Sequence, residues 1–490
     1  VKRKLNQVEQ YQTHQVWIKP GHRLFLYFQV LCGQAKNLYN TTNFFIRQTY
    51  TALKQENDLQ PLQQEVLDML RTHINTMNEV QLLSYKKREA KELLKSEDQR
   101  KIVKANFFSL PTREEPMLNY NFLDALFKAM KQENYRSLPT QSSQNVMKVV
   151  FQNWKSYFES VKAFRKNPSA FKAKPRIPSY CRNHQREIIL TNQDCVIKEG
   201  KFLKLPITKE RLNIGKLGYT KGKLMQVRVI PSYGRFVVEL VFSCEITEQA
   251  FPKERVMAID LGINNLATIV TNTGKKPTLV KGKVSKAMNQ YYNKQKAHYL
   301  GILRQGKKPN EGQQTSHRLV RLNRKRFLKM KDFFHKASYQ IIQFAIEEQI
   351  GTIIIGRNTQ WKSETNMGKR NNQSFCHIPH NLLIQMMTYK AKRLGIEIIV
   401  REESYTSKAS FLDGDVIPTY GESDLLNNFS GNRIHRGMYR SKAGICINAD
   451  VNGAYNIMRK EVPNALANGI EGLDNLMAVA VSTPLVLNVL

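Results

Sequence analysis

"RVMAIDLGINNLATIV", residues 255–270, is the stretch on which the fold turns. The apolar run Val256 to Ile259 ends in Asp260, the turn residues Leu261 to Asn265 follow, and the chain returns as a second apolar run. That pattern is strand, tight turn, strand. Asp260 then lies in the middle of a sheet and projects from the strand's end. Taken alone, such an aspartate is more often a turn former than a catalyst.

The neighbouring segments extend the sheet. A helical stretch covers roughly 284–349, "TIIIG" (352–356) is a fully apolar strand, "PHNLLIQMMTYKAKRLG" (379–395) is a helix, and "IEIIV" (396–400) is a further strand. Strand, helix and strand in succession predict a mixed sheet with helices packed on it. Upstream, residues 22–160 show apolar positions at three- and four-residue spacing and read mainly as helices; Val150, Trp154, Phe158 and Val161 fall on one side of the last of them. Residues 185–246 read as short strands with a hairpin around Pro231–Gly234, a small β domain completed by the strand-like start of the chain. The basic, proline-containing join "RKNPSAFKAKPRIPSYCRNHQR" (165–186) is either an exposed linker or a loop that grips phosphates through Lys172, Lys174 and Arg176.

Bulk composition narrows the function. The 490 residues imply two to four domains, and 41% hydrophobic content supports a sizeable core. A formal net charge of +36 costs self-repulsion that a polyanion relieves. Nucleic acid is the expected partner; neither a membrane span nor an amphipathic anchor is visible, and the apolar tail 476–490 is too short for a helical span and contains Pro484. The six cysteines lie far apart with no CxxC pair, which predicts neither a disulfide framework nor a zinc knuckle. No secretory signal opens the sequence, and a prokaryotic cytoplasmic location is expected.

Two more segments pair an apolar element with a projecting acid. "ICINADVNGAYNIMRK" (445–460) sets Asp450 at the start of a helix, where capping alone explains an acid. "IEIIVREESYTS" (396–407) runs a strand into Glu402 and Glu403. Three such acids together change the reading. Crowded carboxylates are held by divalent cations, and hard oxygen donors suit Mg²⁺ or Mn²⁺. Two such ions roughly 4 Å apart clamp the attacking water and the leaving oxygen of a phosphodiester.

"MAIDLGINNLATIV" (257–270), "TIIIGRNTQWKSE" (352–364), "SYTSKASFLDGDVIP" (404–418) and "INADVNGAYNIMRK" (447–460), in that order, resemble the RuvC-like domain of the transposon-encoded TnpB proteins and of compact type V CRISPR effectors. The resemblance is strong over about 250–460 and fainter over 138–178. It implies a multidomain α+β protein: an RNase H-like (RuvC) α/β nuclease domain, a β-barrel wedge domain and a helical recognition lobe. It also implies a guide RNA and cleavage of double-stranded DNA beside a short motif read by the protein. The expected boundaries are wedge 1–21 and 166–250, recognition lobe 22–165, nuclease 251–403 and 446–465, an insert at 404–445 and a tail at 466–490.

Two departures stand out. In most relatives the second acid follows the strand corresponding to "TIIIG"; here Gly356, Arg357 and Asn358 follow it, and Glu364 is the next acid. Many relatives carry two CxxC pairs after "YTS"; here Ser407, Lys408, Ala409 and Ser410 stand in that region, so the insert is expected to be a zinc-free, degenerate nucleic-acid-binding module. Asp260, Glu403 and Asp450 are the expected metal ligands and catalytic acids, with Glu402 in reserve, because adjacent strand residues face opposite ways. The basic face "HRLVRLNRKRFLKMK" (317–331), over a stripe of Val320, Phe327, Met330 and Phe334, places Arg318, Arg321, Arg324, Lys325 and Lys329 against a nucleic-acid backbone. Lys362, Lys369 and Arg370 lie in "WKSETNMGKRNNQSF" (361–375), and Arg433, Arg436 and Arg440 lie in the insert; both sets are expected phosphate contacts. An RNA-guided DNA endonuclease is the leading reading. A nuclease-inactive RNA-guided DNA binder and a guide-independent DNA-strand transferase are the alternatives.

Overall fold

The computed structural model describes residues 10–215, 222–244, 251–308, 311–358, 378–419, 429–435, 437–466 and 484–489. They fall into two compact units, one within residues 9–244 and the other from residue 245 onward. The chain is a mixed α+β protein.

In the first unit, strand β1 (Gln10–Ile18) leads into helices α1 (Phe25–Lys54), α2 (Pro61–Leu93), α3 (Tyr120–Ala129), α4 (Glu133–Arg136) and α5 (Thr140–Lys166). Helix α1 buries Phe28, Leu31, Ala35, Leu38 and Phe45 at three-, four- and seven-residue spacing, the stripe that a core-facing helix requires. Of the expected stripe on α5, Val150 and Trp154 are fully buried, and the Trp154 indole donates to Asn43 Oδ1 at 2.9 Å. Strands β2 (Ile188–Thr191), β6 (Lys223–Ser232) and β7 (Arg235–Cys244) join β1 in a sheet of order β1-β7-β6-β2. The start of the chain thus completes this sheet, antiparallel to β7. The β6–β7 hairpin turns through Tyr233 and Gly234, both with positive φ, the two-residue turn whose twist matches a hairpin. Strands β3 (Val196–Lys198), β4 (Phe202–Lys204) and β5 (Arg211–Asn213) form a separate sheet, so among the described residues this region is two sheets rather than one closed barrel. The join at 165–186 is no free linker: Asn43 and Arg47 of α1 donate to the Pro178 carbonyl at 3.1 and 2.6 Å, and the Arg186 guanidinium lies 4.0 Å from the Tyr39 ring centroid.

The second unit is built on one sheet. Its strands are β8 (Val256–Leu261), β9 (Asn265–Thr271), β10 (Thr278–Lys281), β11 (Thr352–Gly356), β12 (Glu397–Arg401) and β16 (Leu485–Leu487), in the order β12-β11-β8-β9-β10-β16. Strands β8, β11 and β12 run parallel, so their C-terminal ends share one edge. Strand β16 comes from the tail and adds a parallel edge strand beside β10, which the sequence pattern did not reveal. The helical stretch after β10 is two helices, α6 (Lys283–Leu303) and α7 (His317–Glu347); α8 (His380–Lys392) precedes β12. On α7 the buried stripe is Leu319, Met330, Phe333, Phe334 and Ala337; Val320 and Phe327 are only half-buried. Strands β13 (Asn432–His435), β14 (Met438–Arg440) and β15 (Cys446–Asn448) make a small antiparallel sheet that leads into α9 (Ala449–Glu461). Met257, Ile259, Ile353 and Ile355 pack with α7 and α8 on one face of the large sheet, and Val256, Ala258 and Ile354 pack with α9 on the other. Among the described residues no helix is long and apolar enough to cross a membrane.

Candidate active site

Side chains alternate along a strand, so Asp260 faces α9 together with Val256 and Ala258. Ile355 pairs with Ile259, and the next residues in that parallel register, Gly356 and Asp260, lie side by side about 4.8 Å apart across the sheet. Gly356 ends the strand after which the resemblance leads one to expect an acid. A Cβ there would stand 2.7 Å from Glu403 Oε2 and 2.4 Å from Ile457 Cδ1. Glu403 thus reaches from beyond the edge strand into the space that a side chain at 356 would fill, next to Asp260.

Glu402 turns the other way. Its Oε2 receives the Lys460 ammonium at 2.5 Å, and its Oε1 accepts from the Ser404 amide at 2.8 Å. Burial pushes the Glu402 carboxyl up, but Lys460 and Ser404 together hold it below the usual carboxylate range. Lys460, only 5% exposed, also donates to the Ser404 and Pro418 carbonyls. The backbone of Glu403 is held as well: its N–H donates to Asn358 Oδ1 at 3.0 Å, and its carbonyl accepts from Thr406 Oγ1 at 2.9 Å. Asn358 and Lys460 were not singled out in the sequence. The legible sign for Asn358 was its place two residues past the glycine that replaces an acid.

Glu403 Oε2 is buried and has no hydrogen-bond partner among the described residues. Burial first, then the charges of Asp260 and Glu402, push its carboxyl well above the usual range, against the pull of Lys460. Asp260 is pushed up by burial and by Asp450, with Arg433 opposing. A Cβ on Gly453 would stand 3.1 Å from Asp260 Oδ2, so that glycine lets α9 close over the aspartate. Asp450 lies in the first turn of α9, whose N-cap Asn448 accepts from the amides of Asp450 and Val451. Its Oδ2 accepts from Asn265 Nδ2 at 2.8 Å, and its Oδ1 faces the Arg433 guanidinium at 3.9 Å. Buried His380 approaches the Gly262 carbonyl at 3.1 Å through Nε2 and so braces the turn after Asp260.

Three acids therefore crowd one strand edge, each raising the cost of ionising another or facing a positive donor. Among the described residues no three His, Cys, Asp or Glu side chains converge closely enough to hold a metal ion as they stand. The donor set nevertheless fits a hard divalent cation: an orphaned, buried carboxylate oxygen on Glu403 and two aspartates, all oxygen ligands.

The insert is fastened to α9. Asn452 Nδ2 donates to the Ala409 carbonyl at 2.8 Å, Asn456 Nδ2 donates to the Thr406 and Ala409 carbonyls, and Phe411 stacks on Tyr455 with ring centroids 4.4 Å apart. Within it Asp415 accepts from the Ser410 amide at 2.7 Å and from the Ser430 amide and hydroxyl, while Asp413 accepts from Ser410 Oγ at 2.6 Å and from the Lys442 amide at 2.8 Å. A serine–aspartate clasp thus ties together the segments 410–415, 430 and 442.

The expected phosphate contacts divide. Arg318, Arg321, Lys325 and Lys329 lie along one side of α7, are exposed or half-exposed, and make no ion pair among the described residues; Arg324 is half-buried. Arg433 stands at the acids, and Arg440 is exposed on β14. Lys172, Lys174 and Arg176 are exposed in the first unit. Lys362, Lys369, Arg370 and Arg436 lie outside the described residues.

The OrfB_IS605 family model, a probable transposase, matches residues 239–362, and the Cas12f1-like TNB domain model matches residues 380–457. Over these segments the chain resembles the TnpB-like proteins and compact type V effectors, as its motifs imply. No curated protein matches it. Similar solved structures include a Cas12f1–sgRNA–target DNA complex (13% identity, 92% of this chain and 100% of that one, TM-score 0.29). A CRISPR-Cas12f ternary complex (13%, 80% and 81%, 0.31) and Alicyclobacillus acidoterrestris C2c1 with single-guide RNA (10%, 86% and 70%, 0.30) are further ones. Superpositions this loose assign no role to any residue.

Proposed function

We propose that this chain, a relative of the TnpB-like transposon proteins and compact type V effectors by its two matched segments, is an RNA-guided DNA endonuclease. Its RuvC-type site, on an RNase H-like sheet, is built from Asp260, Asp450 and Glu403. The observation that supports this reading most is the buried, unpartnered Glu403 Oε2, which lies over Gly356 and beside Asp260. An acid lost from one strand is replaced by an acid delivered from the next. Of the similar solved structures named above, one holds sgRNA and target DNA and another holds single-guide RNA; guide RNA and double-stranded DNA are the partners proposed here, on the strength of the two matched family segments. In the same proposal the helices of the first unit are the recognition lobe, and its strands are the wedge.

Each residue has a task in this scheme. Asp260, Glu403 and Asp450 would hold divalent cations, Mg²⁺ by the hardness of the donors. Such ions, when bound, polarise the scissile phosphodiester and lower the pKa of water. Asn265 orients the Asp450 carboxylate through its 2.8 Å hydrogen bond, and Lys460 draws Glu402 away so that one carboxylate, not two, enters the site. Lys281, 3.3 Å from Asn265 Oδ1, and Arg433 set positive charge where a phosphate enters. The resulting chemistry is hydrolysis of phosphodiesters of the target DNA, with sequence choice left to base pairing with the guide.

The test is to purify the protein from its native locus, sequence the bound RNA and assay cleavage of matching DNA in Mg²⁺. A discrete RNA is expected, with cleavage by wild type and none by Glu403→Gln, which should still bind the target. RNA-guided binding without wild-type cleavage would leave an inactive binder. Absence of RNA together with joined-strand products would mark a transferase.

A further inference from the structure

A second feature of the large-sheet unit lies between α6 and α7, away from the acids. A cavity of about 210 Å³ opens there. Met288 and Leu322 give it an apolar lining, Tyr291 and Tyr292 stand on its α6 side, and Lys325 and Lys329 stand on its α7 side. Its aromatic wall is fixed in advance. The Tyr292 hydroxyl donates to Asn323 Oδ1 at 2.7 Å, and the Arg326 guanidinium lies over the Tyr292 ring at 4.8 Å from its centroid. Arg326 is itself held by the buried Asn289 at 2.7 Å. Tyr291 is 57% exposed, and Lys325 and Lys329 make no ion pair or hydrogen bond among the described residues.

We propose that this cavity binds one unpaired nucleotide of a nucleic-acid strand, with the base against Tyr291 and the backbone phosphates on Lys325 and Lys329. The argument is chemical. An apolar slot with an exposed ring suits the flat face of a base, and every base has one. Two uncompensated ammonium groups one helical turn apart suit consecutive phosphates. A small apolar metabolite would leave the lysines without a role, and a free anion would leave the tyrosine without one. The position suits a strand under cleavage. Helix α6 begins at the turn that carries Asn265: the Gly282 amide donates to the Asn264 carbonyl at 2.8 Å, and Lys286 reaches Asn264 Oδ1 at 3.2 Å. From Lys283, the first residue of α6, to Tyr291 is about 12 Å along the helix at 1.5 Å per residue. A strand whose phosphate lies at the acids can thus place a base a few nucleotides away in the cavity. This placement rests on the nuclease reading; the binding of a base does not.

The experiment uses the full-length protein with three fluorescein-labelled strands of equal length: oligo(dT), oligo(U) and an abasic deoxyribose backbone. Wild type is expected to prefer oligo(dT) over the abasic strand by about tenfold or more, in line with stacking on one aromatic side chain. Tyr291→Ala removes most of that preference, and Tyr291→Phe keeps it. Lys329→Gln weakens both DNA strands alike and flattens the salt dependence. In parallel, 5-iododeoxyuridine strands crosslinked by light should label Tyr291 in peptide maps. Equal preference in wild type and Tyr291→Ala, with no label on Tyr291, overturns the proposal. The oligo(U) arm tells a guide-derived nucleotide from a target-derived one. A wild type that stacks bases at Tyr291 yet never cuts DNA in Mg²⁺ overturns the nuclease reading and leaves this site standing.

Discussion

Replacing Gly356 by alanine perturbs the acid site without touching an acid. The new methyl carbon would lie 2.4 Å from Ile457 Cδ1 and 2.7 Å from Glu403 Oε2, whereas ordinary contact begins near 3.4 Å. Glu403 must therefore retreat by about 0.7 Å and Ile457 by about 1 Å, in an interior packed nearly as densely as an organic crystal. Ile457 is 1% exposed in the layer between α9 and the sheet, so its movement is an overpacking cost of about 1–3 kcal/mol. For a unit of this size each kcal/mol lowers Tm by about 2–4 °C. The catalytic cost should be larger in proportion, because displacing a reacting group by about 1 Å can cost 10²-fold in rate. The expected result is a folded protein with Tm lowered by several degrees and Mg²⁺-dependent cleavage down about 10- to 100-fold, with target binding retained. Calorimetry and a gel cleavage time course measure the two effects separately. Wild-type cleavage by a Gly356→Ala protein with the lowered Tm would refute the placement of Glu403 in the reaction.

Four further outcomes follow from the same geometry. Glu402→Gln should cost about 3 kcal/mol in chemical denaturation, since it strands the nearly buried Lys460 cation, and more than Lys460→Met, which strands a partly exposed carboxylate. The metal-free protein should show two opposed pH dependences. Glu402 and Asp413 have folded values held below the usual range, so the stability they give is present above their unfolded values and is lost as pH falls through the folded ones. Asp260 and Glu403 are raised, so their contribution is full below the unfolded values and is lost as pH rises through the folded ones; Mg²⁺ should raise Tm more at about pH 8 than at about pH 5, and Asp260→Asn should abolish that difference. Asp415→Ala leaves the Ser410 and Ser430 donors without their acceptor and should cost about 1–3 kcal/mol, with increased proteolysis between residues 410 and 442 as the check. Arg321→Gln and Lys325→Gln should each reduce the slope of log affinity against log salt by about one, without changing the preferred target.

Much of the large-sheet unit was legible because its residues obey short periods. Val256 to Ile259 and "TIIIG" are apolar on both faces, as strands covered by helices must be, and they became β8 and β11; "IEIIV" became the edge strand β12, exposed at Glu397 and Val400, and the three run parallel. The strand-like start of the chain is assigned to the first β region, and it pairs there with β7. The tail strand β16 was not legible: three residues carry no period, and a parallel edge pairing is set by where distant chain arrives. The choice between Glu402 and Glu403 depended on the side-chain partner. Alternation says that only one points inward, but which one is decided by Lys460, fifty-eight residues away in sequence. The division of the β region into two sheets was likewise a tertiary outcome, since short strands of similar composition pair equally well in one ring or two.

Helix α9 ties these features together. Asp450, Gly453, Ile457 and Lys460 recur at steps of three and four residues and so share one face of the helix. That face meets the strand ends in turn. Gly453 lies against Asp260 at the end of β8, Ile457 lies against Gly356 at the end of β11, and Lys460 lies against Glu402 beyond β12. The adjacent row Asn452, Asn456 and Arg459 grips the insert through the carbonyls of Ala409, Thr406 and Asp415. One row of the helix thus sets the depth and direction of every acid at the sheet edge, and the next row sets where the insert sits above them. A shift of α9 along its axis would move Asp450, release Glu402 and crowd Gly356 at the same time. It follows that substitutions in the Asn452–Asn456 row, which touch no acid, should alter cleavage through the same displacement that Gly356→Ala produces from the opposite side. Asn456→Ala and Gly356→Ala should therefore combine less than additively in rate, whereas two independent supports would add.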